Sequence, residues 1–414
     1  MRYYLIAGEP SGDLHGSYLI RAIRAEDPAA EIRAWGGDLM AAAGAELVKH
    51  YRELAFMGVV EVVKNLPTIL KNQRACQEDI AAFAPDRLVL IDYSGFNLRI
   101  AKWAKPQGMD VSYYISPQVW ASRSGRVKQI KAYVDRMLVI LPFEEAWYAE
   151  RGVKATFVGH PLLDVVKEAE EAARTQDAVS PDWRNAPAPE GVVKGQGNPD
   201  TSKAGNQEHE VLRSKSLIEN REPPIKVALL PGSRKQEITV GLPLMLAAAA
   251  LHPEHDYVVA GAPSQTLAFY EQIIASCGSA RPPHLRILMN DTYGLLQTAH
   301  AAIVTSGTAT LETALFGVPQ VVVYKGNWIA YRVAKWMIAN RIKYISLVNL
   351  VMDAPVVKEL IQHDFTPERL GDELQKIIAG PERDRQSGQL QQLRERLGSG
   401  GAAGRAAKLI VTSS

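Results

Sequence analysis

This chain has almost no cysteine. Its 414 residues include two, Cys76 and Cys277, far apart and in no metal-ligand spacing. A disulfide framework is therefore not expected, and a reducing, cytoplasmic setting fits. Surplus charge is also lacking. The formal net charge is +2, so bulk electrostatics give no reason to expect nucleic acid as a partner. No apolar run approaches the ~20 residues of a membrane span. The N-terminus enters Arg2–Ala7 directly and reads as having no leader. The dinucleotide fingerprint is missing too, because Gly8, Gly12 and Gly16 lack its spacing. What is there, 47% hydrophobic and 22% charged, has the composition of a globular enzyme with length enough for two domains.

The most informative stretch is Ala301–Glu312, AAIVTSGTATLE. Ala301 to Thr305 reads as a buried parallel strand, and Ala309 to Phe316 as a helix stopped by Gly317-Val318-Pro319. Ser306, Gly307 and Thr308 turn one into the other, which leaves backbone N–H groups free at a helix N-terminus, a site suited to phosphate. Glu312 lies one turn inside, placed to accept hydrogen bonds from a ribose diol. The same turn also reads as an ordinary connection with Ser306 as helix cap. A second strand, Lys226–Leu230, runs into Pro231-Gly232-Ser233-Arg234. Gly232 and Ser233 make a tight turn, and Arg234 offers a planar fork matched to a diphosphate. A cation at a helix start is unfavourable unless an anion joins it. Two such turns together point to a bound nucleoside diphosphate.

Earlier in the chain, strand Arg2–Ala7 opens into Gly8-Glu9-Pro10-Ser11-Gly12-Asp13, a loop with two acids at the carboxyl edge of a sheet. Asp13 also reads as a helix cap. Strand Arg87–Asp92 ends on an acid, and Asp92 is placed to take a proton from an acceptor hydroxyl. Strand Val111–Ile115 leads into Ser116-Pro117-Gln118-Val119-Trp120, a wall suited to a sugar or base. The basic stretch Arg123, Arg126, Lys128 and Lys131 follows, readable as a solvated face or as a site for an acceptor phosphate. Phe56, Met57, Val59, Val60, Val63, Leu66 and Leu70 form a nearly continuous apolar segment with Lys64 and Lys71. It reads either as buried helices or as an exposed collar for acyl chains and an anionic membrane surface.

Strands alternate with helices throughout, which predicts α/β architecture with doubly wound sheets. Composition divides the chain into a first Rossmann-like domain over 1–172 and a polar insertion or linker over 173–222. A second Rossmann-like domain follows over 223–365, with C-terminal helices over 366–414. Two such domains predict a cleft in which a nucleotide held by the second meets an acceptor held by the first.

Seven segments stand in an order that resembles the lipid-A-disaccharide synthase family. They are Gly8–Asp13, Ile91–Asn97, Ser116–Ala121, Val158–Pro161, Leu230–Arg234, Ser306–Glu312 and Tyr344–Leu350. The resemblance runs to about residue 380, excepting the polar insertion. It implies the GT-B arrangement, two Rossmann-like domains facing a cleft. It also implies inverting, metal-independent transfer of 2,3-diacylglucosamine from its UDP conjugate to 2,3-diacylglucosamine 1-phosphate. No cofactor is implied, since the UDP-sugar is a substrate. Asp92 would be the base, with Glu9 or Asp13 holding the acceptor. Ser306, Gly307 and Thr308 would hold the diphosphate with Gly232, Ser233 and Arg234, and Glu312 would bind the ribose. Ser11, Gly12, Asn97, Gln118, Trp120, His160 and Asn349 would line the acceptor side. A homodimer that exchanges C-terminal helices and a peripheral place on the inner membrane are implied as well. The sequence departs from the family at Gly95, where many members carry an acid, and at Ser122, where tryptophan is common. Two alternatives remain: a UDP-N-acetylglucosamine 2-epimerase-like enzyme, and a non-catalytic nucleotide-sugar-binding scaffold.

Overall fold

The computed structural model describes residues 1–53, 66–122, 124–177, 225–326 and 343–412. Phe56, Met57, Val59, Val60 and Val63, together with Arg123, residues 178–224 of the insertion region and the expected Trp328–Ile338 helix, lie outside the described residues. The chain divides into two compact units. The first takes in Met1–Val166 and, of the described residues, 343–357 and 387–412; the second takes in the described residues of Lys167–Gly326 and Lys358–Gln386.

In the first unit seven strands form one sheet: β1 (Arg2–Ala7), β2 (Glu31–Gly36), β3 (Glu46–His50), β4 (Arg87–Ile91), β5 (Val111–Tyr114), β6 (Arg136–Val139) and β7 (Ala155–Phe157). Their order is β3-β2-β1-β4-β5-β6-β7, and every pairing is parallel. In the second unit the strands are β8 (Lys226–Leu230), β9 (Asp256–Gly261), β10 (Leu285–Met289), β11 (Ala301–Thr305), β12 (Gln320–Tyr324) and β13 (Lys358–Ile361). They run β10-β9-β8-β11-β12-β13, again all parallel.

The unbroken apolar runs of the central strands follow from this arrangement. Successive side chains point to opposite faces, and both faces of a parallel sheet are covered. Tyr4 and Ile6 of β1 pack with Leu88 and Leu90 of β4 in one core, while Tyr3, Leu5 and Ala7 pack with Val89 and Ile91 in the other. The second unit repeats the pattern. Val227, Leu229, Ala301 and Ile303 face one way, and Ala228, Leu230, Ala302 and Val304 the other.

Some elements differ from the sequence reading. β3 and β13 are edge strands with mixed polarity, ELVKH and KELI, and carry no apolar run to announce them. The helix expected from Val240 begins at Lys235 and contains Pro243. Its buried Ile238, Leu242, Met245 and Leu246 offset the ~3 kcal/mol that an interior proline costs. Tyr344–Leu350, expected as a loop, runs into the short helix Leu347–Met352, capped by Ser346 Oγ accepting from Asn349 N.

The last helix, Ala402–Thr412, returns to the first unit. Its Ala406, Ala407 and Ile410 pack with Leu19, Ile20 and Ile23 of the Pro10–Glu26 helix. Asp164 accepts hydrogen bonds from Gly401 N and, at 3.0 Å, from Ala402 N, capping the helix from outside. Arg405 Nε donates to the Val158 carbonyl at 2.8 Å. Loss of such a cap costs about 1 kcal/mol. Asp164→Ala should therefore raise amide hydrogen exchange across 402–412 roughly fivefold while β8 and β11 exchange unchanged. Equal protection in the variant would show that Asp164 does not hold this helix.

Candidate active site

In each sheet the strand order reverses once. β1 connects outward to β2 and the chain then returns to β4 on its other side; β8 and β11 have the same relation. Loops leaving a sheet at such a point open a crevice outside the carboxyl ends of the strands. The loops after β1 and β4 carry Glu9 and Asp92. Those after β8 and β11 carry Arg234 and Ser306–Thr308.

The Asp92 turn is conformationally unusual. Asp92 and Tyr93 both have φ of 42°, in the left-handed region that non-glycine residues rarely occupy. The surroundings hold it there. Asn97, fully buried in the first turn of the Ser94–Ala104 helix, donates through Nδ2 to the carbonyls of Asp92 at 2.9 Å, Ile91 at 3.1 Å and Ile6 at 3.4 Å. The Tyr113 hydroxyl also donates to the Asp92 carbonyl. Asn97 thus closes the fork where β1 and β4 part, a positioning place rather than a substrate-facing one. The Tyr93 ring lies against Gly8, where an added Cβ would meet it at 2.4 Å, so only glycine fits.

The half-buried Asp92 carboxyl is pushed up to about 7, first by burial and then by the charge of Glu9. Glu9 is half-buried at the cap position of the Pro10–Glu26 helix, and its side chain makes no capping bond. Ser11 is half-buried beside it, and Gly12 is buried against Ala7.

Asp13 requires a correction. The sequence reading gave it a place among the catalytic acids, but both its oxygens are committed to backbone. Oδ1 accepts from Gly37 N at 2.8 Å and Met40 N at 3.0 Å, and Oδ2 from Leu39 N at 3.2 Å. It anchors the start of the Asp38–Ala42 helix, not its own. His160 and Asn349 are also interior groups. His160 Nδ1 accepts from Leu162 N at 3.3 Å, and burial with His15 nearby lowers its pKa to about 3. Asn349 joins both its amide atoms to the backbone of Val357, each at 2.9 Å.

Gln118 is exposed and Trp120 half-buried. Trp120 Nε1 donates to Glu144 Oε1 at 3.2 Å, and its ring meets Phe143 edge-on. Glu144 is 1% exposed, and burial raises its carboxyl to about 7. Its other oxygen accepts from Ile140 N and Leu141 N. Ser116 Oγ pairs with Tyr148 OH at 2.7 Å. Glu144 and Tyr148 hold the 116–120 loop and were missed in the sequence, where they read only as helix residues. Of the collar, Leu66 begins the Leu66–Phe83 helix, and Leu70 is 53% exposed.

In the second unit Gly232 has φ of +100°, which requires glycine. Its turn stands beside Thr305, the last residue of β11. The Ser233 carbonyl accepts from Ser264 Oγ at 2.9 Å and Gln265 Nε2 at 3.3 Å. Arg234 caps the Lys235–Ala250 helix with extended backbone and reaches Glu237 at 3.2 Å while 58% exposed. Ser306 is half-buried, and Gly307 and Thr308 are exposed at the start of the Thr308–Leu315 helix. A Cβ on Gly307 would meet nothing within 4 Å, and its φ of 162° is extended backbone open to any residue. Neither packing nor conformation within the chain asks for glycine there. Glu312 is half-buried; burial raises its pKa to about 7, and the Tyr293 hydroxyl 3.4 Å away opposes this. Among the described residues, no three or more His, Cys, Asp or Glu side chains cluster to hold a metal.

Many α/β enzymes share this geometry, and comparison decides among them. The pattern of the family described as lipid-A-disaccharide synthetase matches residues 3–186 and 200–410. The chain belongs to that family. A lipid-A-disaccharide synthase of Syntrophus aciditrophicus is 39% identical over 413 residues, 99% of this chain and 96% of that one. One from Coxiella burnetii is 36% identical over 411 residues, 98% and 96% of the two chains. Among solved structures, UDP-GlcNAc 2-epimerase from Neisseria meningitidis bound to UDP-GlcNAc gives a TM-score of 0.57 at 10% identity, covering 99% of this chain and 98% of that one. The calicheamicin glycosyltransferase CalG4 gives 0.55 at 16%, covering both chains fully. Such low identities speak for the fold alone, and that fold is GT-B. Membership of the lipid-A-disaccharide synthase family makes the chain a glycosyltransferase of lipid A synthesis and removes the epimerase reading.

Three carboxyls of this family member, Asp92, Glu144 and Glu312, are raised to about 7. A raised acid binds its proton more tightly folded than unfolded. Each therefore costs nothing below its unfolded pKa and destabilises progressively as pH climbs from about 4 to 7. Asp92→Asn should melt at a higher temperature than the parent at pH 8, with the gap closing toward pH 4. A gap absent at pH 8, or widening in acid, would contradict the shift.

Proposed function

We propose that the chain transfers 2,3-diacylglucosamine from UDP to the 6-hydroxyl of 2,3-diacylglucosamine 1-phosphate, giving the β-1,6 disaccharide 1-phosphate and UDP. The observation that carries this reading is the Asp92 turn. It presents a carboxyl at a sheet's reversal point, held near the pH at which a general base works best. The Asp92 carboxylate takes the proton of the acceptor hydroxyl as its oxygen forms the new bond to the donor's anomeric carbon. The bond from that carbon to the diphosphate breaks, and UDP leaves with the electron pair. Attack from the opposite face inverts the centre.

Glu9 orients the acceptor beside Asp92. Arg234 and the N-terminus of the Thr308–Leu315 helix meet the charge that develops on the departing diphosphate, so no metal is required. Open space at Gly307 supports a close phosphate approach, and Glu312, with its second oxygen away from Tyr293, takes the ribose. The same reading has the chain work as a homodimer on the anionic inner face of the membrane, with Leu70 among the collar residues that meet acyl chains.

The test is turnover with both substrates in anionic vesicles, chelator present, with the disaccharide read by mass spectrometry. The parent should form disaccharide and UDP. Asp92→Asn should lose roughly 10²–10⁴-fold in rate while still binding UDP. Absent product, a metal requirement, or near-parental rates in Asp92→Asn would each overturn the part concerned. Product from dissolved but not vesicle-borne substrates would overturn the membrane placement.

A further inference from the structure

With its positions 1, 2 and 3 substituted, the proposed acceptor keeps free hydroxyls at carbons 4 and 6 only. Asp92 takes the proton of the 6-hydroxyl, which leaves the 4-hydroxyl as the handle by which the sugar can be oriented. Tyr93 and Glu9 are placed to grip it. β1 and β4 last pair at Ala7 and Ile91, and Glu9 and Tyr93 each lie two residues beyond that pair. The Tyr93 ring crosses the gap onto Gly8 and stacks on Phe96, with centroids 5.5 Å apart. These ring contacts and the left-handed backbone fix the side chain. Its hydroxyl makes no hydrogen bond among the described residues, and it is not one of the buried polar atoms cut off from water. Burial, and then the charge of Glu9, raise the phenol's pKa, so it remains a donor at neutral pH. Glu9 also acts on the Asp92 carboxyl and is thus the neighbour common to base and phenol.

We propose that Glu9 and Tyr93 together bind the acceptor's 4-hydroxyl, Glu9 accepting its hydrogen and Tyr93 donating to its oxygen, and so present the 6-hydroxyl to Asp92. The proposal rests on the functional reading above. A hydroxyl is donor and acceptor at once, and a carboxylate beside a phenol matches both capacities. An acylated position has no hydrogen to give Glu9. The neutral bond from Tyr93 accounts for about a 3- to 10-fold effect, and the charged bond to Glu9 for more.

The experiment crosses two changes. Parent and Tyr93→Phe, which keeps the ring contacts with Gly8 and Phe96, are assayed with the acceptor and with its 4-deoxy analogue. The parent should favour the full acceptor by about 10- to 100-fold in kcat/KM. Tyr93→Phe should lose about 3- to 10-fold with the full acceptor, leave the UDP-sugar KM unchanged, and match the parent with the 4-deoxy analogue. If the parent forms disaccharide from neither acceptor, the functional reading itself falls. If the parent uses both equally, or Tyr93→Phe is parental with the full acceptor, Tyr93 does not read the 4-hydroxyl and the functional reading stands. An equal loss with both acceptors would overturn the proposal in the same way, since a merely structural role gives that result.

Discussion

Everything at the first unit's candidate site depends on how the fork between β1 and β4 is closed. Where two parallel strands part, their last carbonyls lose neighbours, and an unpaired buried carbonyl costs about 1–3 kcal/mol. One buried amide, Asn97 Nδ2, serves the ends of both strands and the Asp92 carbonyl, and the Tyr113 hydroxyl adds a second donor to Asp92. Those bonds keep two consecutive residues left-handed at a cost of order 1–3 kcal/mol each. The carboxyl is thereby held partly out of water and near Glu9, and its proton affinity rises for that reason.

The two units use one topology for opposite electrostatics. At the first reversal point the chain gathers carboxylates, Glu9 and Asp92, and burial makes one of them basic. At the second it places Arg234 and Lys235 at the start of a helix, where cations are unfavourable without an anion. Glu237 compensates in part. Proton removal from an acceptor and charge relief at a leaving diphosphate call for those two environments. Such arrangements lower stability, as is usual where function fixes a site.

Much of this was legible in the sequence. β1, β4, β8 and β11 are doubly buried and appear as uninterrupted apolar runs, so the turns that follow them stood out. The edge strands β3 and β13 had no such signal. Asp92 stood out as a candidate because it directly follows the apolar run of a central strand. Asp13 was misread because its partners, Gly37, Leu39 and Met40, lie more than twenty residues on, and a sequence does not show which helix a carboxylate will cap. Asn97, His160 and Asn349 stand in recognisable segments, yet their side chains turn inward to hold backbone. Glu144 was invisible for a related reason: only the folded chain brings it to Trp120.

The most direct test of the account is to titrate the Asp92 carboxyl itself, by carbon-13 NMR of labelled aspartate assigned through Asp92→Asn. The account predicts a titration near pH 7 in the parent, shifted downward in Glu9→Gln because a neighbouring negative charge has been removed. A titration in the ordinary carboxylate range near 4, unmoved by Glu9→Gln, would contradict it and leave the base to be sought elsewhere.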